Sequence, residues 1–128
     1  MMRVEAIIRN EKLDDVKDAL AEAGFLGMTV CEVRGRGRQK GLEFDVRGRK
    51  MRVDLLEKVK LEVVCDNEHV DEIVSTIIES AKTGEIGDGM IFISTIDDAI
   101  RVRTSEKLKV EKIKQTEKTE KTKPKRKQ

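Results

Sequence analysis

The chain has 128 residues, 41% charged and 38% hydrophobic with a net charge of +2, which leaves room for one compact domain and excludes two independent cores. No apolar run approaches the roughly 20 residues a membrane-spanning helix needs, and Arg3, Glu5 and Arg9 interrupt any opening signal-peptide stretch. Two cysteines without CxxC spacing argue against a disulfide framework or a zinc site and for a cytoplasmic compartment, and the lone histidine, His69, cannot by itself build metal or triad chemistry.

Met2–Arg9 alternates, with Val4, Ala6 and Ile8 to one side, as a half-buried strand does. Lys12–Ala23 places Leu13, Val16, Leu20 and Ala23 at helical spacing, and Gly24 supplies the stop. Met28–Val33 reads as a second strand, with Cys31 as a small buried residue. A long connection, about Gly35–Glu57, follows. Hairpins need 2–5 residues, and connections beyond about 12–15 in a compact domain are functional or disordered. Within it, residues 34–52 hold eight basic groups (Arg34, Arg36, Arg38, Lys40, Arg47, Arg49, Lys50, Arg52) against Glu43 and Asp45, for a net of +6. It also carries Gly37, Gly41 and Gly48 and is expected to expose Phe44 and Met51. Length and composition favour a partner-binding arm over a solvated excursion.

Val59–Cys65 alternates again and is a third strand, with Cys65 on its inner side. Glu68–Lys82 repeats Val70, Ile73, Val74, Ile77, Ile78 and Ala81, an amphipathic helix that Asp66 or Asn67 can cap and that Gly84 follows; His69 is expected to be exposed in its first turn. Met90–Ile96 is the last core strand, and Arg101–Arg103 can add a short extra one. The tail, Ser105–Gln128, holds ten basic and four acidic residues, a net of +6. It cannot bury enough apolar surface to offset ordering, so disorder or partial helix is expected. No aromatic residues interleave with its charge to stack bases, which favours a solubilising appendage over a nucleic-acid or acidic-lipid contact.

The order β-α-β, long connection, β-α-β is the split βαβ pattern: an α+β, ferredoxin-like βαββαβ sandwich over residues 1–104, with an arm at about 36–57 and the tail at 105–128. Two helices cover one sheet face. The other carries Ile7 and Val64 beside Lys60 and Glu62, too apolar to leave wet and too polar for a core, which predicts burial against copies of the same chain.

Three elements suit an anion. Arg34-Gly35-Arg36-Gly37-Arg38-Gln39-Lys40-Gly41 combines glycines, which let backbone N–H groups approach closely, with guanidinium donors. Thr83-Gly84-Glu85-Ile86-Gly87-Asp88-Gly89 joins a helix to a strand, although a glycine helix stop and an Asp-Gly turn need no ligand. Arg101 and Arg103 project to one side of a segment expected to be extended. Three such elements in one small domain point to a polyphosphate. No carboxylate pair, nucleophile–base pair or metal cluster marks an enzyme.

Together these residues resemble the PII signal-transduction family of trimeric nitrogen-status sensors. The most specific match is Thr83-x-x-x-Gly87-Asp88-Gly89-x-Ile91-Phe92, joined by Arg36-Gly37-Arg38-Gln39-Lys40-Gly41, Val53-Asp54, Lys58-Val59-Lys60 and Arg101-Val102-Arg103-Thr104. The resemblance implies that ATP or ADP binds in clefts between subunits. Ile7, Thr29, Gly35, Gly37, Arg38, Gln39 and Val64 would surround the nucleotide. Thr83, Gly87, Asp88, Gly89 and the residue at Met90, with Arg101 and Arg103, would meet the phosphates, and Glu62 of a neighbouring subunit would read the base or ribose. It implies Mg²⁺ with ATP, held by Gln39, and 2-oxoglutarate at Gln39, Lys40, Gly41 and Lys58, a hard-ligand arrangement. It implies a loop, with Phe44, Arg47, Gly48 and Met51, that selects the partner: an ammonium transporter, which would draw the protein to the membrane periphery, glutamine synthetase or nitrogenase.

Three positions depart from the family pattern. The usual Tyr-Arg-Gly-x-x-Tyr reads Val46-Arg47-Gly48-Arg49-Lys50-Met51, and the chain has no tyrosine, so tyrosine nucleotidylation is chemically excluded. Residues 35–57 contain no Ser or Thr, so hydroxyl phosphorylation there is excluded too. Met90 replaces a basic residue, a change that costs on the order of 1.5–3 kcal/mol where an ammonium meets phosphate. A non-enzymatic sensor is the first functional expectation. The alternative is a nucleic-acid or acidic-surface module using the basic loop and tail, but such a module wants aromatic platforms and the chain holds three Phe.

Overall fold

A computed structural model describes residues 1–36, 42–53 and 55–108. The chain runs β1 (Met2–Arg9), α1 (Leu13–Glu22), β2 (Thr29–Gly35), β3 (Leu42–Val46), β4 (Arg49–Val53), β5 (Leu56–Cys65), α2 (Val70–Ala81) and β6 (Met90–Thr95). Short 3₁₀ turns, Asn10–Lys12 and Asn67–His69, lead into the two helices.

Four strands form one antiparallel sheet in the order β2-β5-β1-β6. This is the ferredoxin-like arrangement expected from the sequence. Register follows from the two-residue period. Val4 pairs with Val63, Ala6 with Leu61 and Ile8 with Val59, so one face is continuously aliphatic. Against it pack Val16 and Leu20 of α1 and Ile73, Ile77 and Ala81 of α2. Val4, Ala6, Leu20, Leu61 and Ile73 are wholly buried. Each buried Leu or Ile contributes roughly 1.5–3 kcal/mol, so the sheet–helix seam outweighs any single polar contact.

Helix α1 ends in a Schellman turn. Gly24 takes φ +98°, its N–H bonds the Ala21 carbonyl at 3.0 Å, and the Phe25 N–H reaches back to the Leu20 carbonyl at 2.8 Å. Phe25 and Leu20 are both buried, which supplies the apolar contact of that motif.

Several sequence expectations change. The segment expected to be a loop contains the β3–β4 hairpin, a separate two-stranded sheet turning at Arg47 and Gly48, with φ of 55° and 79°. Two consecutive positive φ values make the turn whose twist suits a two-residue hairpin. Arg47, Gly48 and Arg49 are exposed there. Gly37, Arg38, Gln39, Lys40, Gly41, Asp54 and the tail from 109 onward lie outside the described residues, as do the side chains of Phe44 and Met51. Arg101–Arg103 is no strand: Ile100 bridges Lys107, and residues 102–104 turn between them, closed by Ser105 N–H on the Arg101 carbonyl. Arg101-Val102-Arg103 alternates like a strand, but among the described residues no neighbouring strand takes up its ladder. Cys65 is buried, whereas Cys31 is exposed, because its register partner is Lys60 on the uncovered face.

His69 is half-buried rather than exposed. Its ring meets Phe25 edge-on at 5.8 Å and its Nε2 lies 3.4 Å from Asp66 Oδ1 and 3.6 Å from Glu68 Oε1. Neither Asp66 nor Asn67 caps α2 through its side chain; the Asp66 carboxylate turns to His69. These ligand-type atoms of Asp66, Glu68 and His69 lie within 4.8 Å of one another, an acidic–imidazole cluster the sequence reading did not anticipate.

Candidate anion-binding site

On the uncovered sheet face the odd-numbered residues of β1 line up with the even-numbered ones of β5: Arg3 with Val64, Glu5 with Glu62, Ile7 with Lys60, Arg9 with Lys58. Like charges therefore oppose each other twice. The Glu5–Glu62 pair is eased by Arg3, whose guanidinium is 4.0 Å from Glu62. The Arg9–Lys58 pair is eased by the loop between α2 and β6.

That loop is built around one carboxylate. Asp88 Oδ2 accepts from the N–H groups of Thr83 and Gly84, each at 2.9 Å, and Asp88 Oδ1 accepts from the Thr83 hydroxyl at 2.5 Å. The Thr83 hydroxyl oxygen in turn accepts from the Glu85 N–H at 3.1 Å. Four donors, three from the loop and one from Arg9, hold the Asp88 carboxyl well below the usual carboxylate range, the Thr83 hydroxyl being the largest cause. Gly84 is thus not the helix stop expected from its position. Lys82, extended with ψ 134°, ends α2, and Gly84 at φ +88° delivers its N–H to Asp88.

Two cations tie the loop to the sheet. Arg9 Nε donates to Asp88 Oδ1 at 3.0 Å and its terminal nitrogen donates to the Ile86 carbonyl at 2.9 Å. Lys58 Nζ donates to the Gly87 carbonyl. Burial, then the neighbouring Arg9 charge, push the Lys58 ammonium below its ordinary range. Gly87 and Gly89 have φ of 106° and 111°. A Cβ on Gly89 would sit 1.8 Å from the Ile7 carbonyl oxygen, so glycine is obligatory there. A Cβ on Gly35 would meet nothing within 4 Å, so nothing in the described chain requires a glycine at that position.

The nitrogen regulatory protein P-II family model matches residues 1–106. The chain belongs to the P-II family. It is 58% identical over 106 residues to nitrogen regulatory protein P-II 2 of Methanothermobacter thermautotrophicus, covering 83% of this chain and 92% of that one. It is 57% identical over 107 residues to a nitrogen regulatory protein P-II of Nostoc punctiforme, covering 84% and 96%. A third relative, nitrogen regulatory protein P-II of Synechocystis, is 55% identical over 107 residues. All three are named as regulatory proteins. No helix among the described residues is long and apolar enough to cross a membrane.

Within this P-II chain the structure brings together Thr83, Gly87, Asp88, Gly89 and Lys58, with Ile7 and Met90 paired beside them at the start of β6. Met90 is 61% exposed. Glu62 and Thr29, which pair with each other, lie four residues along β5 from Lys58, about 13 Å away at strand spacing, and Val64 is farther still. Arg101 and Arg103 are exposed in their turn, and among the described residues neither bonds the Asp88 loop. One P-II chain therefore gathers, at one end of its open face, seven of the thirteen expected ligand-binding residues that are described. Sequence reasoning missed Arg9 and the Ile86 carbonyl. Arg9 ends a strand without any motif, and only the register that sets it opposite Lys58 exposes its role.

Proposed function

We propose that this P-II chain is a non-enzymatic, cytoplasmic signalling subunit that binds ATP or ADP and 2-oxoglutarate and controls nitrogen-assimilation targets through its β2–β5 connection. The carrying observation is the Arg9–Lys58 pair. Arg9 is neutralised by Asp88, whereas Lys58, partly desolvated and beside the Arg9 charge, donates among the described residues to the neutral Gly87 carbonyl, with Glu11 and Asp88 easing its charge from farther off. A cation so placed on a glycine loop fits a phosphate or carboxylate.

The subunit assembles as a homotrimer, burying the open face and bringing Glu62 of one chain to the Asp88 loop of another. The spread of Thr29, Glu62 and Val64 away from Lys58, and the apolar Ile7 and Phe92 left on that face, support this assembly. Gln39 would hold Mg²⁺ with ATP phosphates and 2-oxoglutarate, which supplies charge neutralisation between the two anions. Gln39, Lys40 and Gly41 lie outside the described residues, so the fit rests on Lys58 and the loop. The targets are an ammonium transporter, glutamine synthetase or nitrogenase, docked through Arg47 and its neighbours. Switching runs on ligands, since no loop hydroxyl is available for modification.

The test is calorimetric titration with ADP, ATP and MgATP with 2-oxoglutarate, alongside the mass of the particle in solution. MgATP binding that tightens with 2-oxoglutarate, reciprocally as linkage requires, supports the sensor. Absence of any adenylate binding overturns it.

A further inference from the structure

The Asp88 loop is closed mainly on itself. Thr83 N–H, Gly84 N–H and the Thr83 hydroxyl all reach Asp88 from four or five residues away. These bonds all converge on one carboxylate, whose Oδ1 Arg9 also holds, so they last only while that carboxylate keeps its place. The orientation of the loop on the sheet depends on bonds from afar. Arg9 supplies two, across 79 and 77 residues of sequence, and Lys58 supplies one across 29. If Lys58 is taken by an arriving anion, Arg9 is, among the described residues, the side chain that still ties the loop to the sheet, beside the entry of Met90 into the ladder opposite Ile7.

We infer that Arg9 is the positioning residue of this loop: by bonding Asp88 and the Ile86 carbonyl from the end of β1, it holds the glycine backbone in place while Lys58 leaves Gly87 for a ligand. The inference rests on the anion-binding reading of the same site. Two acceptors that diverge, a carboxylate and a carbonyl, match the fork of a guanidinium, whose Nε and terminal nitrogen serve both at once. An ammonium serves one well. The Arg9 side chain also floors Gly87, where a Cβ would lie 3.2 Å from its terminal nitrogen. Arg9 thus sets both the orientation of the loop and the space beneath it.

The experiment compares the wild type with Arg9→Gln and Arg9→Lys in the full chain, using ADP as the probe and amide hydrogen exchange at Thr83 and Gly84 without ligand. Arg9→Gln should weaken ADP binding about 10-fold with little change in melting temperature, as losing one charge-assisted contact in the bound state predicts, and should speed exchange at both amides at least about fivefold. Arg9→Lys should recover part of both. ADP affinity within about twofold of wild type, or a lower melting temperature with unchanged affinity, would overturn the inference. Should the wild type bind no adenylate, the sensor reading fails, and amide exchange alone decides: faster in Arg9→Gln supports Arg9 as the positioning residue, unchanged refutes it. Should Arg9→Gln not fold, Arg9→Lys carries the same two readouts.

Discussion

Arg9 and Lys58 are direct partners across the β1–β5 ladder, and both side chains end on the same loop, Arg9 on Asp88 and the Ile86 carbonyl, Lys58 on the Gly87 carbonyl. Two like charges held side by side would repel each other, yet the loop supplies one carboxylate and two carbonyls in return. The imbalance falls on Lys58. Its folded state disfavours the charged form, so the penalty is present while the ammonium stays protonated and disappears as pH rises through the lowered folded value toward the ordinary 10.5. Lys58→Met should therefore leave the melting temperature at neutral pH unchanged or raised, and should abolish the tightening of MgATP by 2-oxoglutarate. A clear fall in melting temperature would mean that the Gly87 bond matters more to the fold than the charge.

Asp88 has the opposite sign. A carboxyl depressed in the folded state contributes its full stability above its ordinary value of 3.8 and loses it progressively as pH falls from there to the much lower folded value. The amide signals of Thr83 and Gly84 should hold their positions from neutral pH down past 3.8. Asp88→Asn removes the charge and one acceptor oxygen, and should accelerate amide exchange at Gly84 at all pH values. Movement of the Gly84 amide with an apparent value near 3.8 would show that the four-donor arrangement does not persist in solution.

Gly89 and Gly84 separate steric need from conformational need. Both have positive φ, but a Cβ at Gly84 meets open space while one at Gly89 collides with the Ile7 carbonyl. Gly84→Ala should cost about 1–2 kcal/mol, the strain of a side chain in the left-handed region. Gly89→Ala should cost about 3 kcal/mol or more, since backbone must shift. Denaturant unfolding of the two variants under the same conditions checks the ranking. Equal losses would place the Ile7 carbonyl farther from Gly89 than the structure has it.

The legible and illegible parts of the fold differ for a physical reason. Strands β1 and β5 and helix α2 repeat their apolar residues at periods of two and near 3.6 with few interruptions, so their existence follows from burial alone. The β3–β4 hairpin carries a two-residue period too, in Leu42, Phe44 and Val46. It sits in a basic stretch and turns at Arg-Gly rather than Asn-Gly, so charge obscured it. Arg101–Arg103 shows the reverse error, because alternation without a partner strand does not make a ladder. The glycine loop was legible as a motif, but the role of Asp88 within it was not. A carboxylate beside glycines suits a plain turn equally well, and only Arg9, 79 residues away, shows what it anchors.

The two cysteines offer a last check, on burial and assembly together. Cys65 is 2% exposed beneath the helices, and Cys31 is exposed on β2 opposite Lys60. In native protein one thiol per chain should react with a maleimide, and the second should react only after unfolding, because a buried thiol presents neither thiolate nor access. Cys31→Ser should abolish the native reaction, and Cys65→Ser should leave it unchanged. If open faces pack against one another in a trimer, Cys31 should react more slowly in the assembled particle than in protein dissociated by dilution or mild denaturant. Two reactive thiols in the native chain would contradict the position of Cys65, and equal Cys31 rates in assembled and dissociated protein would place β2 at the rim of the interface rather than within it.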